Sequence, residues 1–170
     1  VLGKGNLVGA AVAQAILGAL TCSLVYLLGR RLLDETSGLL AGLMAAAYGP
    51  AIFYTAVFLS TTVEVFLVVA TLLAVTDASF RPTARRWLRA GVVVGLGCLA
   101  RPNFLAGLPA LVAMLPFQMR DEDGRPEWSA IRRATLAFIL GAALAIIPAT
   151  ARNWAVGGRA VLVCLLSRPK

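Results

Sequence analysis

Leu7 to Gly29, read as LVGAAVAQAILGALTCSLVYLLG, carries no charge and runs straight into Arg30-Arg31. A membrane-spanning helix needs about 20 apolar residues in succession. Arginines directly behind such a run sit where the chain meets water and lipid headgroups. Working outward, the pattern repeats. Thr36 to Val63 is uncharged, with Gly49-Pro50 in its middle, and Val65 to Thr76 follows Glu64. Ala90 to Ala100 precedes Arg101, Pro102 to Met119 follows it, and Ala134 to Ala151 runs up to Arg152. The first, second, fifth and sixth stretches reach the lower limit of about 17 residues unaided. The third reaches it by starting near Phe58, which puts Glu64 inside the membrane or at its edge. The fourth stays short even with Trp87, Leu88 and Arg89 added: about 21 Å at 1.5 Å per residue, against about 30 Å of hydrocarbon.

Composition agrees with this reading. Of the 170 residues, 59 % are hydrophobic and 14 % charged, whereas a soluble domain carries about 25 % charged residues. So much apolar surface cannot be hidden in one small core, which leaves a polytopic helical membrane protein. The fold class expected is all-α: a transmembrane helical bundle of about six spans, forming a single domain over residues 1–170. The chain contains no His, so it supplies no His-based metal site or catalytic triad. Cys22, Cys98 and Cys164 lie in apolar runs, lack metal-ligand spacing, and read as small buried hydrophobes. Gly38-x-x-x-Gly42 and Gly91-x-x-x-Gly95 have the spacing that lets membrane helices approach closely; packing is the role expected. Val1 follows no charged leader region and the chain stops at Lys170 without a closing element, so an internal piece of a longer protein is expected.

The net charge of +8 is explained by topology rather than by nucleic acid. Arg30 and Arg31 follow the first span; Arg81, Arg85, Arg86 and Arg89 follow the third; Arg120, Arg125, Arg132 and Arg133 follow the fifth. If the short fourth stretch crosses, all of these fall on one side, which is then cytoplasmic. Lys4, Glu64, Arg101, Arg152 and Arg159 fall on the other. One long kinked helix over Ala90 to Met119 would destroy that asymmetry. Asp121, Glu122, Asp123 and Glu127 belong to a solvated connector, exposed beside competing arginines.

The outer face thereby gathers the unusual residues. Arg101-Pro102-Asn103 breaks the chain between the fourth and fifth spans, Arg152-Asn153-Trp154 ends the sixth, and Glu64 stands between the second and third. An Arg near membrane depth is costly and is paired or functional; the alternative is snorkelling to headgroups. One acid cannot neutralise two guanidinium groups, but a phosphate can, because their forked donors match its oxygens. Glu64 is open between pairing with one of these arginines and a catalytic or metal role.

These residues also carry a resemblance. Gln14-x-x-x-Gly18-Ala19-Leu20-Thr21, then Tyr26-Leu27-Leu28-Gly29-Arg30-Arg31-Leu32, resembles the span after the first external loop of GT-C glycosyltransferases. Ser37 to Gly42 and Tyr48-Gly49-Pro50-Ala51-Ile52-Phe53-Tyr54 resemble the next helix. Gly91 to Asn103 resembles a glycine-rich helix ending in Arg-Pro, and Pro148-Ala149-Thr150-Ala151-Arg152-Asn153-Trp154 a Pro-x-x-x-Arg-Asn-aromatic segment. In this order they resemble family 39, the protein mannosyltransferase and ArnT-like branch.

The resemblance implies an integral membrane enzyme, in a bacterial inner membrane, that moves a sugar from a polyprenyl-phosphate carrier to a glycan, lipid or protein acceptor on the extracytoplasmic side. It assigns the main catalytic Asp to a loop that would precede Val1. Arg101, Arg152 and Asn153 would hold the donor phosphate. Glu64 would be a second acid for acceptor orientation or for a divalent metal, no metal ligand being assigned otherwise. The Leu-x-Thr pattern puts Thr62 at the family's acid position, and a short gap brings Glu64 there. The partners expected are the lipid-linked sugar, membrane lipid and an acceptor, with no nucleic acid. A secondary transporter, which would need an inverted repeat, and a structural membrane subunit are the alternatives.

Overall fold

Pro102 follows Arg101, and a proline disfavours helical backbone in the residue before it. Arg101 accordingly leaves the helix, with φ −147° and ψ 133°. The computed structural model describes residues 4–50, 61–101, 103–119 and 126–157. Among them stand six helices: α1 Lys4–Leu32, α2 Glu35–Ala47, α3 Thr61–Phe80, α4 Ala84–Ala100, α5 Asn103–Gln118 and α6 Trp128–Gly157. No strand occurs among the described residues, and the all-α class is confirmed. Three helices are long and apolar enough to cross a membrane, over Gly9–Leu32, Thr61–Phe80 and Trp128–Asn153, and Phe104–Phe117 is a shorter apolar one. The 13 residues of α2 span about 20 Å. The second half of the expected second span lies outside the described residues.

Two boundaries differ from the sequence reading. The fourth helix begins at Ala84 rather than Trp87, and its 17 residues reach about 25 Å. The preceding break at Pro82-Thr83 fixes that start. The sixth helix does not stop at Arg152-Asn153-Trp154 but continues through Gly157, because none of Arg152, Asn153 and Trp154 interrupts the helical ladder.

Contacts divide the chain into two compact units, Val1–Leu73 and Ala74–Lys170, with the boundary inside α3. In the first, α1 and α2 form an antiparallel hairpin. Asp34 caps α2 by accepting from the Ser37 N–H at 3.5 Å, and Arg30 and Arg31 occupy the last turn of α1, where positive charge suits the helix dipole. Glycine makes the approach possible. A Cβ on Gly38 would lie 2.7 Å from the Tyr26 carbonyl oxygen, and one on Gly42 3.0 Å from the Tyr26 Cβ.

In the second unit, α4 and α6 pack along much of their length. A Cβ on Gly91 would collide with the Phe138 carbonyl, one on Gly95 with Ala142, and one on Gly141 with the Leu88 carbonyl. Both Gly-x-x-x-Gly motifs therefore lie at helix contacts, as expected from their spacing. Residue numbers rise together along the two faces, so α4 and α6 run parallel. The core between them holds Trp87, Ala90, Val94, Cys98, Ala134 and Phe138, with the Trp87 and Phe138 rings edge-on at 6.2 Å. Leu136, Ile139, Leu140, Leu144 and Ile147 stay exposed on α6, an apolar face suited to lipid.

Candidate functional site

The parallel register decides where the two singled-out arginines go. Gly91 faces Phe138 and Ala142, and Gly95 faces Ala142 and Ala145. Continuing that register brings Arg101, the C-cap of α4, level with the turn of α6 that carries Pro148 to Arg152. Both arginines thus emerge at one end of the second unit.

The opposite end is equally well defined. Phe104, at the start of α5, packs its ring against Gly97, while Met119, just past its end, shares a cavity with Trp87, Ala130 and Ala134. So α5 runs antiparallel to α4 and α6. Arg85, Arg86, Arg89, Arg132 and Arg133, on the first turns of α4 and α6, lie at the end away from Arg101.

Backbone geometry holds Arg101 firmly. Its N–H donates to the Gly97 carbonyl at 2.8 Å, and its carbonyl accepts from the Phe104 N–H at 3.2 Å. The helix break is therefore a closed turn rather than a frayed end, and the side chain, half-buried, departs from a fixed point. Arg152 and Asn153 are exposed on the last turns of α6. Below them Pro148 interrupts the amide ladder, and the Thr150 hydroxyl donates to the Ile146 carbonyl at 3.1 Å. Two guanidinium groups and an amide at one end of a glycine-tight pair make a donor-rich surface that suits an anion.

Glu64 belongs to the first unit. It lies in the first turn of α3 rather than in a loop, where the helix dipole favours a carboxylate, and it is half-buried. The first unit also holds a cavity of about 480 Å³, walled by Cys22, Val25, Met44, Tyr48, Thr62 and Val65. Thr62 is buried and its hydroxyl has no hydrogen-bond partner. It is Thr62, not Glu64, that lines this cavity. The sequence offered Thr62 only as a rival alignment; a lone threonine in an apolar run gives no other cue. Among the described residues there is no group of three or more His, Cys, Asp or Glu that could hold a metal ion. Part of the acidic connector, residues 121–123, lies outside the described residues, as does Cys164.

Compared with known proteins, a family model described as dolichyl-phosphate-mannose-protein mannosyltransferase matches residues 1–151. No curated protein and no solved structure matches the chain.

Proposed function

Because the chain belongs to the dolichyl-phosphate-mannose-protein mannosyltransferase family, a family of integral membrane glycosyltransferases that use a polyprenyl-phosphate-linked sugar donor, we propose that Arg101 and Arg152, with Asn153 beside them, bind the donor's phosphate at the extracytoplasmic end of the helix bundle. One observation carries this reading: the parallel packing of α4 and α6, which keeps both guanidinium groups at one end. The arginine-rich opposite end supports the orientation, since cytoplasmic ends collect Lys and Arg. A bacterial inner membrane is the membrane we assign.

The chemistry follows from charge. When the anomeric carbon leaves the carrier, negative charge grows on the phosphate oxygen that departs. Guanidinium donors fixed before the reaction, in a site of low dielectric constant, stabilise that charge without reorganising. Rigidity matters here, and the Arg101 turn supplies it through two backbone hydrogen bonds. Asn153 would hydrogen-bond to a further phosphate oxygen or to the sugar. Glu64 would orient the acceptor or draw off its proton, as a carboxylate within hydrogen-bond reach can.

The test is transfer of a radiolabelled sugar from a polyprenyl-phosphate donor by the full-length protein in membranes. Arg101→Ala and Arg152→Ala should each reduce transfer strongly while leaving membrane insertion unchanged. Undiminished transfer in both variants would remove the phosphate assignment.

A further inference from the structure

We infer, on the phosphate reading proposed above, that Pro148 is a positioning residue for Arg152: it divides α6 into a clamped base and a short arm, and the arm brings Arg152 and Asn153 to the phosphate that Arg101 holds. The grip of α4 on α6 ends just before this proline. A Cβ on Gly95 would lie 2.7 Å from the Ala142 carbonyl oxygen and 2.8 Å from the Ala145 Cβ, and Ile146 packs against the core. Beyond it burial falls away. Ile147 and Pro148 are exposed, Ala149 and Thr150 half-buried, and Ala151, Arg152 and Asn153 exposed again.

The joint stands directly past that grip. Pro148 has no N–H to give the Leu144 carbonyl, and a proline ring crowds the carbonyl four residues back, so a helix bends there. The Thr150 hydroxyl donates to the Ile146 carbonyl at 3.1 Å, a kind of bond that also bends helices. It reaches from the arm to the last clamped residue, and so holds the bend. No other proline lies in α6.

A straight α6 would serve the two arginines badly. Steps of four and three residues stay on one face of a helix. They carry the face that meets α4 from Phe138 through Ala142, Ala145 and Ala149 to Arg152. Alanine fits the close spacing that Gly91 and Gly95 set; an arginine does not. On an unbent axis Arg152 would be pressed toward the end of α4, where Arg101, its C-cap, has the same charge. The joint lets Arg152 stand off, and a phosphate between the two guanidinium groups, attracting both, draws the arm in. One arginine is thus fixed in a closed turn, and the other is carried on a jointed arm.

Sugar transfer from a polyprenyl-phosphate donor by the full-length protein in membranes tests the joint, with the thermal midpoint followed in detergent. Pro148→Ala restores the N–H and straightens α6. Its midpoint should hold or rise, since proline is the least favoured residue inside a helix. Its kcat should fall about 10- to 100-fold, the scale on which a misplaced catalytic group acts. In an Arg152→Ala background the same substitution should change kcat by less than about twofold, because the residue it places is gone. Losses that multiply in the double variant mark a purely structural role and overturn the inference, as does undiminished transfer in Pro148→Ala alone. Undiminished transfer in Arg152→Ala instead removes the phosphate reading beneath it, so the two failures are told apart. Should Pro148→Ala fold poorly, Thr150→Val cuts the bond across the joint and Thr150→Ser keeps it. Transfer should fall in the first and be retained in the second; equal transfer in both overturns the inference.

Discussion

The two ends of the second unit are built from the same helices but differ in how they hold positive charge. At the start of α4 and α6, arginines are numerous and exposed. Arg85, Arg89, Arg132 and Arg133 all face outward, and Arg86 is tied to Asp77 and to the Arg81 carbonyl. At the other end stand Arg101 and Arg152, one of them anchored in a closed turn between two helices. Many loosely held charges orient a chain in a membrane. Few charges, fixed by backbone and expensive to keep near lipid, need a chemical reason.

The comparison can be broken most sharply at Arg101. Removing one fixed donor from a site that stabilises a developing oxyanion costs about 100- to 1,000-fold in rate. Arg101→Ala should show a loss of that size in sugar transfer, and Arg101→Lys a smaller one, because an ammonium restores charge but not the fork. Equal, small losses in both variants would make the two ends equivalent. Next comes the packing that holds the ends in register. Gly141→Val puts a branched side chain onto the Leu88 carbonyl, and overpacking costs typically about 1–3 kcal/mol. The thermal midpoint in detergent should fall, and transfer should fall with it. An unchanged midpoint would mean that α4 and α6 do not meet at these glycines.

The charge-rich end should be far more tolerant. Arg132 is exposed on α6, so Arg132→Gln should alter transfer less than twofold, consistent with the small worth of surface charges; a loss rivalling that at Arg101 would erase the distinction. The smallest effect lies in the first unit. Hydrogen bonding to Ser37 holds the Asp34 carboxyl below its ordinary value. A depressed folded value means that the capped carboxylate stabilises α2 above the unfolded value and that this is lost as pH falls through the folded one, below about pH 4. Asp34→Asn should flatten that acid dependence in hydrogen exchange of the α2 amides while keeping a cap. An unaltered acid limb would detach Asp34 from the stability of α2.

Much of this was legible in the chain. Arg101-Pro102 announced a break, since a proline disfavours helical backbone in the residue before it, and the break stands there. The glycine spacings announced close approach, and Gly38, Gly42, Gly91 and Gly95 all lie where a Cβ would crowd a neighbouring helix. Helix ends were less legible. Arg152-Asn153 looks like a stop, yet neither residue breaks helical backbone and α6 runs on to Gly157. Thr62 was hidden for another reason: a threonine hydroxyl is a common satisfied helix group, and only three-dimensional packing reveals that this one lacks a partner beside a cavity.

By itself the sequence determined the solvent and the class. Long uncharged runs with arginines at their borders suit helices in lipid, because hydrocarbon admits only helices and closed barrels, and a barrel strand would need alternating rather than continuous apolar residues. The crossings read from the sequence already ran α4 and α6 in the same direction; the tertiary structure alone decided that they touch, and in tight register. That follows from where backbone atoms of one helix meet the glycines of the other, a fit of surfaces rather than a property of either strip of residues. It is this fit that brings two arginines separated by most of two helices to the same end of the second unit.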